Sequence, residues 1–320
     1  MAQVRFAEVD IVVPDGQSLL DALEKAGQSI PSSCRSGLCH ACLLRADEGE
    51  IPAQAQSPLS SRQKAQKLLL ACQCYPTSSL RLSVPKEASR VKATLVDKVP
   101  LGRDILRVRF TSDVAWFPGQ YTTLWRNDTE GRSFSIASHP ERDGFLELHV
   151  RKRAGGVISD WLDNRLMPGQ ECLISQPRGQ CFYTPECRFH PLLLVATGTG
   201  LSPIYGVLKE ALDIGHTFPI YLYAAAGDPE GLYLVRELKE LAHAFPQLHF
   251  RPVVRRQPEI GMLEGDVVDV VSSQHEDLKD WRVFLCGTPE TVRKLQKKCF
   301  LQGASMSAIV ADAFESPLNV

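Results

Sequence analysis

Ten cysteines stand in this chain of 320 residues, and three of them share one short loop. Cys34, Cys39 and Cys42 are spaced C-x4-C-x2-C in SSCRSGLCHACLL, and Cys72 follows after 29 intervening residues, in LLACQCYP. Three thiolates from one loop and a fourth from a distance can converge on a single metal centre, and this spacing fits a [2Fe–2S] cluster. Zinc also accepts four thiolates, but its sites usually pair one C-x2-C with a second, and that second half is absent. Buried cysteines acting as small hydrophobes are the bland alternative, and the tight grouping argues against it. Gly37 lets the loop bend so that its amides can point at the sulfurs and stabilise a negatively charged cluster. Cys74 competes with Cys72 for the fourth position. Cys72 is preferred because it directly follows the apolar anchor Leu68–Leu70.

Three further constellations could handle phosphate and hydride. In RSFSIAS (Arg132–Ser138), Arg132 can pair bidentately with a pyrophosphate and Phe134 offers a ring face. In GGVIS (Gly155–Ser159), Gly156, Val157 and Ser159 bring amides and a hydroxyl to a helix N-terminus, where the dipole favours phosphate. LLLVATGTGLSPIYGVL (Leu192–Leu208) is a strand, a glycine turn and a helix, and Gly198 and Gly200 let a pyrophosphate approach the backbone. Each pattern is weak alone: an exposed Arg on a strand, or two glycines before a helix, would read the same way. FLCGTPETV (Phe284–Val292) places Cys286 and Gly287 at the end of an apolar strand, where Cys286 also reads as a small core residue.

Together these segments resemble the ferredoxin-NADP reductase superfamily. The resemblance makes RSFS the R-x-[YF]-S flavin motif, with Phe134 in place of the commoner Tyr. It implies that Ser135 hydrogen-bonds the flavin N5, the atom that receives hydride. GGVIS matches the partner phosphate motif G-x-x-S, which implies FAD rather than FMN. GTGLSP matches G-T-G-x-[ST]-P, with Thr199 and Pro203 shaping the pyrophosphate cradle. Cys286–Gly287 matches the C-G-x-x motif beside the reacting nicotinamide. The ending ADAFES (Ala311–Ser316) resembles the short C-terminus of bacterial members and implies that Phe314 approaches the flavin. Residues 1–85 resemble a plant-type ferredoxin domain through SLLDALEKAG, IPSSCRSGLCHAC and LLACQ. The second strand of the nucleotide domain ends in YAAAGDPEGLY (Tyr223–Tyr233). Gly227 stands where an Arg would serve a 2′-phosphate, and Asp228 would repel that phosphate while accepting from a free ribose hydroxyl. NADH is therefore expected over NADPH, with Arg255 and Arg256 at the next strand end as the opposing signal.

The elements that must position these residues change character along the chain. Strands near Val4–Phe6 and Asp10–Val13 and a helix capped by Ser18 precede the cysteine loop. PKEASRV (Pro85–Val91) reads as a linker. Short alternating strands such as Ile105–Phe110, Tyr121–Trp125 and Phe145–Val150 then suggest an antiparallel barrel, with a helix at Ile158–Asn164. From His190, apolar strands alternate with helical stretches, the pattern of a covered parallel sheet. The expected organisation is a multidomain chain. It comprises an α+β plant-type ferredoxin (β-grasp) domain at 1–88, an antiparallel FAD-binding β-barrel at 89–189 and an α/β NAD-binding domain at 190–320.

Composition fits that size: 44% hydrophobic, 23% charged, net charge −1. The charge balance gives no reason to expect nucleic acid or an anionic membrane as partner. No run approaches the roughly 18 apolar residues of a membrane span, and Arg5, Glu8 and Asp10 interrupt any signal-like start. A cytoplasmic monomer is expected. The function expected is an NADH:acceptor oxidoreductase that moves hydride to FAD and single electrons through the [2Fe–2S] cluster. The terminal acceptor implied by the resemblance is an oxygenase, either a ring-hydroxylating dioxygenase or a soluble di-iron monooxygenase. A deoxysugar (CDP-4-keto-6-deoxyhexose) dehydrase is an alternative acceptor. A non-catalytic electron-carrier module is the alternative from a different class, and it would require damaged flavin or GTGLSP motifs.

Overall fold

The protein is described by a computed structural model at residues 1–28, 30, 32, 35, 37, 40–59, 61–85 and 90–314. Cys34, Cys39, most of the expected linker and the last residues of ADAFES lie outside the described residues.

The N-terminal unit is a mixed sheet covered by α-helix. β1 (Ala2–Phe6) and β2 (Val9–Val13) form a hairpin, followed by α1 (Leu19–Lys25), β3 (Leu43–Glu48), α2 (Ala53–Gln56), α3 (Ser61–Ala65), β4 (Leu68–Leu70) and β5 (Leu80–Ser83). The strand order is β2-β1-β5-β3-β4, with β1 and β5 parallel. α1 starts where the Ser18 hydroxyl accepts from the Asp21 amide at 3.2 Å, and Gly27, at φ +75°, carries the chain away. Leu19, Leu20 and Leu23 of its inner face share a core with Leu68–Leu70 of β4.

The second unit comprises β6 (Arg90–Pro100), β7 (Ile105–Thr111), β8 (Tyr121–Trp125), β9 (Gly131–Ser135), α4 (Pro140–Asp143), β10 (Leu146–Arg151), α5 (Val157–Asn164) and β11 (Glu171–Ser175). Its strands run antiparallel in the order β10-β7-β6-β11-β8-β9. A bridge between Ile136 and Leu148 joins the two ends of that order into a barrel, which removes both free edges. Phe110, Leu124, Ile136, Leu148 and Val150 fill the interior.

The third unit is an all-parallel sheet of order β15-β14-β13-β12-β16-β17. Its elements are β12 (Leu192–Thr197), α6 (Leu201–Asp213), β13 (Ile220–Ala226), α7 (Val235–Ala244), β14 (Leu248–Val254), β15 (Leu263–Glu264), α8 (Val267–Gln274), β16 (Arg282–Gly287), α9 (Pro289–Leu301) and β17 (Ile309–Ala313). The sequence pattern passed over α8 and β17. The run VVDVVSSQ is rich in β-branched valine, which favours strands, but its valines recur at i, i+1, i+3 and i+4, and the Asp266 carboxylate accepts from the Val268 amide at 2.9 Å to start a helix there. Ile309–Ala313 is an edge strand on β16, so the tail residues Ala311–Ala313 are held by the sheet. Among the described residues no helix is long and apolar enough to cross a membrane.

The barrel and the parallel sheet meet at glycines. A Cβ placed on Gly206 of α6 would lie 2.9 Å from the Gly119 amide nitrogen and 3.0 Å from the Ile136 carbonyl. Helix backbone therefore packs directly on barrel backbone. Polar groups continue the seam. His149 of β10 shares a hydrogen bond with the Tyr233 hydroxyl at 3.1 Å and another with Glu147 at 3.1 Å, and Arg109 donates to Glu147 at 2.7 Å. Burial alone would raise the Glu147 pKa. The bonds from His149 and Arg109 overcome it and hold the carboxyl at about 2. Lys209 of α6 also donates to Asp143 of α4 at 2.7 Å.

This contact generates a test of the seam. Gly206→Val forces a side chain into a gap that holds only backbone, and overpacking of this kind costs about 1–3 kcal/mol. The expected result is a lower melting temperature by calorimetry with far-UV circular dichroism unchanged. An unshifted melting temperature would mean that α6 does not sit this close to the barrel.

Candidate redox site

The hairpin of β3 and β4 explains how distant cysteines meet. Leu43 pairs with Leu70 and Leu44 with Leu69, so Cys42 enters the hairpin beside the point where Cys72 leaves it. The Ala71 amide donates to the Cys42 carbonyl at 3.0 Å, and the Cys72 amide lies 3.5 Å from the Cys42 sulfur. Cys72 sits in a single 3-10 turn, Ala71–Gln73, which reverses the chain just past the buried Leu68–Leu70. Cys74, two residues on, is fully buried in the apolar core, and burial pushes its thiol up to about 12. Such a thiol stays protonated. Its backbone is used instead, because the Cys74 carbonyl accepts from the Leu19 amide at 2.7 Å at the start of α1. The donor set therefore suits a thiolate-ligated cluster at Cys42 and Cys72, while Cys34 and Cys39 fall outside the described residues.

Two residues that motif spacing did not single out hold this loop. Arg35 donates to Asp21 at 2.7 Å and to Glu24 at 2.6 Å, tying the loop to α1. Gln73 donates to the Arg35 and Cys72 carbonyls, each at 3.2 Å. Gly37 is at φ +86°, and a Cβ there would meet the Gln73 side chain at 2.9 Å, so this glycine is required on both counts. His40 is half-buried beside the barrel. Its carbonyl accepts from Arg178 at 3.4 Å, and burial, with the Arg178 charge adding, pushes its imidazole down to about 4.

On the barrel, β9 carries Arg132, Phe134 and Ser135. Its register on β8 pairs Leu124 with Arg132, Thr122 with Phe134 and Tyr121 with Ser135, so Arg132 and Phe134 share one face. Ser135 is buried, and its carbonyl accepts from the Ser202 hydroxyl of α6 at 2.9 Å. The flavin-motif strand is thus gripped by the first turn of the nucleotide-domain helix. Gly155, at φ +71°, has open space where a Cβ would point, and Gly156 leads into α5, which begins with no side-chain cap. Uncapped amides behind an open glycine turn fit a pyrophosphate. Ser159 stands in the first turn of α5. Its hydroxyl is turned onto the turn itself, donating to the Gly156 carbonyl at 3.2 Å and accepting from the Arg153 amide at 3.3 Å. It shapes the turn, and Val157, half-exposed, marks the open end of α5.

The turn after β12 is a second cradle. Gly198 is at φ +55°, and a Cβ on Gly200 would fall 2.3 Å from the Cys286 carbonyl oxygen. Gly287, at φ +143°, would clash with Thr197 in the same way. Two strand ends thus close on each other with only the Thr197 hydroxyl between them, where it accepts from the Thr288 amide at 3.1 Å, and α6 begins without a side-chain cap. Thr199 is half-buried and Pro203 buried in the first turn of α6. Cys286 is buried at the tip of β16 with its sulfur 3.4 Å from that of Cys181, and burial, with Cys181 adding, raises its thiol well above the usual range. The Phe314 amide donates to the Gly287 carbonyl at 2.7 Å, which places the tail beside Cys286. Sequence patterns missed Arg151, at the end of β10. Its guanidinium lies 2.9 Å from the point a Gly198 Cβ would occupy, so the barrel supplies a cation over the nucleotide-domain turn. An Arg that ends a barrel strand carries no motif, and only the fold reveals it.

At the far edge of the cradle, Asp228 follows β13, and its carboxylate accepts from the Gly231 amide at 3.0 Å. Arg255 pairs with Asp266 at 2.8 Å. That ion pair engages one of the two arginines that could have favoured a 2′-phosphate.

Comparison with known proteins agrees with this order of sites. Residues 4–77 match the 2Fe-2S iron-sulfur cluster binding domain, 92–183 the oxidoreductase FAD-binding domain and 194–297 the oxidoreductase NAD-binding domain. The chain is 32% identical over 309 residues to the ferredoxin–NAD(P)+ reductase component of the naphthalene 1,2-dioxygenase system of Pseudomonas putida, covering 93% of this chain and 94% of that one. It is 30% identical to the reductase subunit of an aromatic O-demethylase of an Amycolatopsis strain, covering 87% of each. Among solved structures, a cytochrome P450 reductase of Amycolatopsis superposes with a TM-score of 0.71 at 27% identity, covering 99% of both chains. Two glycine cradles, a flavin-motif strand and a cysteine hairpin in this sequence place the chain in the family of iron–sulfur flavoprotein NAD(P)H reductases to which these reductase components belong.

Proposed function

We propose that this protein is the reductase component of an oxygenase system, oxidising NADH and delivering electrons one at a time to a partner oxygenase. The observation that carries the reading is the continuity of the sites. The Cys286 strand tip closes on the GTG turn, the helix after that turn grips Ser135, and the barrel beneath Ser135 touches the cysteine loop at His40. The relatives named above, each a component of an oxygenase or demethylase system, support the choice of acceptor.

Bound FAD accepts hydride and releases electrons singly, which is the chemistry no side chain of this chain supplies. The residues bind, orient and exclude water. Arg132 and the amides at Gly155, Gly156 and Val157 hold the flavin pyrophosphate, with Ser159 setting the shape of the turn. Phe134 gives the isoalloxazine an apolar face, and Ser135 offers a hydroxyl toward its N5 edge. Gly198, Thr199, Gly200 and Pro203 form the nucleotide cradle, and Arg151 places positive charge over it. Cys286, Gly287 and Phe314 frame the nicotinamide end. Cys34, Cys39, Cys42 and Cys72 ligate the cluster. Asp228 sets the preference for NADH by placing negative charge where a 2′-phosphate would lie.

Three measurements test these roles. Cys72→Ser should lose most of the two irons expected per chain, whereas Cys74→Ala should keep them, by colorimetric iron assay. The reverse pattern would reassign the fourth ligand. Arg132→Ala should retain cluster absorbance and lose roughly tenfold to a hundredfold in FAD affinity, the value of one charge-assisted bidentate contact, and undiminished FAD on extraction would sink that role. NADH should exceed NADPH in kcat/KM, and Asp228→Arg should narrow the gap, with a stability loss of about 0.5–2 kcal/mol from the missing cap on Gly231. A wild type that favours NADPH would shift the assignment to Arg255 or Arg256.

A further inference from the structure

The segment that leaves β11, Gln176–Phe182, is a stretch of backbone that reaches both ends of the redox site. At one end Cys181 lies against Cys286, sulfur to sulfur at 3.4 Å. At the other, Arg178 donates to the His40 carbonyl at 3.4 Å, across 138 positions of sequence. Between them the segment is fixed to the flavin-motif side of the barrel. The Tyr121 amide donates to the Arg178 carbonyl at 2.7 Å and the Arg178 amide to the Tyr121 carbonyl at 2.8 Å. Gly179, at φ +104°, lies so close to the Tyr121 ring that a Cβ would sit 3.0 Å from it. Gln120 donates to the Gly179 carbonyl at 3.4 Å, and Tyr121 itself is the β8 partner of Ser135. A second contact between the N-terminal unit and the barrel, the bridge of Ser32 with Glu130, lies just ahead of β9.

We propose that Arg178 is a positioning residue for electron transfer, seating the cysteine loop on the barrel at the strand pair that carries Ser135. Its backbone is locked to Tyr121 in both directions, so its side chain is presented from a rigid base, and the acceptor it reaches is the carbonyl one residue after Cys39 and two before Cys42. Electron transfer between two centres depends on how closely and how constantly they are held, so a loop seated in one place serves the transfer. The step itself moves one electron from the flavin site to the cluster site, with no bond made or broken, so seating the loop is all that the protein must do there. Among the described residues, the guanidinium bond to the His40 carbonyl ties this part of the cysteine loop to the barrel.

The inference rests on the proposed cluster and flavin sites, and the test separates the two. Wild-type, Arg178→Ala and Arg178→Lys holoenzymes are mixed anaerobically with NADH in a stopped-flow instrument, and flavin and cluster bleaching are followed as separate phases. Amide hydrogen exchange across residues 35–44 is measured on the same preparations. Arg178→Ala is expected to leave the flavin phase unchanged, to slow the cluster phase several-fold and to speed exchange in the loop. Arg178→Lys, which keeps the charge but loses the fork, is expected to fall between, and it becomes the deciding variant if Arg178→Ala loses iron or FAD. Unchanged cluster reduction and unchanged exchange overturn the proposal, as does an equal slowing of both phases, which would make Arg178 part of the flavin site. A wild type whose cluster is not reduced by NADH overturns the function itself.

Discussion

Backbone meets backbone between the barrel and the nucleotide domain, and the rest of the site depends on that closeness. Gly206 of α6 faces Gly119 and Ile136, with a Cβ position 2.9 Å from an amide nitrogen. Because nothing but hydrogen occupies that gap, the N-terminal turn of α6 comes near enough for Ser202 to bond the Ser135 carbonyl. The same proximity lets Arg151 extend from the barrel over Gly198. A methyl group at the crossing would separate two surfaces that must bracket one reaction. The glycines are therefore a geometric condition on hydride transfer as well as a packing device.

Closeness without rigidity would leave the two halves free to slide, and the polar seam opposes that. Glu147, His149 and Tyr233 form a buried chain from barrel to α/β domain, with Arg109 on the carboxylate. The carboxylate can only accept, so Nε2 of His149 carries the proton toward Glu147. Breaking this chain would leave a buried charge unpaired, which is far more costly than never burying it. Directional bonds of this kind fix orientation where apolar contact alone would allow several. At the junction to the N-terminal unit, the described residues form the Arg178 bond to the His40 carbonyl and the Ser32–Glu130 bridge.

What could be read in the sequence follows from how local each signal is. The three-part order, the barrel and the parallel sheet were legible because alternation with turn residues and the strand–helix rhythm are set within ten or so neighbours. The GTG turn was legible because the strand, the two glycines and the helix are contiguous. The preference for Cys72 came from its position after Leu68–Leu70, and the hairpin register that brings Cys42 to it gives that position its meaning. Arg35, Arg151 and Arg178 were not legible, since each acts across a gap between elements far apart in the chain. Ser159 shows the converse. Its motif was recognised, but whether a serine hydroxyl faces a ligand or its own turn is decided by a rotamer, and the rotamer here bonds Gly156 and Arg153.

The cysteines show how environment sorts one residue type into different fates. Cys74, Cys172 and Cys299 are enclosed by apolar side chains, and burial raises their thiols to about 12, 12 and 11. Desolvated thiols of this kind are poor nucleophiles, and these three fill the core as small apolar residues. Cys42 and Cys72 are no more exposed, at 3% and 5%. They differ in what adjoins them: a chain reversal with the Cys72 amide 3.5 Å from the Cys42 sulfur and the Gln73 side-chain amide 3.9 Å from that of Cys72. Amide hydrogens stabilise charge on sulfur where hydrocarbon would suppress it. Depth alone thus does not distinguish Cys42 and Cys72 from the core cysteines; the amide donors that the turn after β4 brings to their sulfurs do.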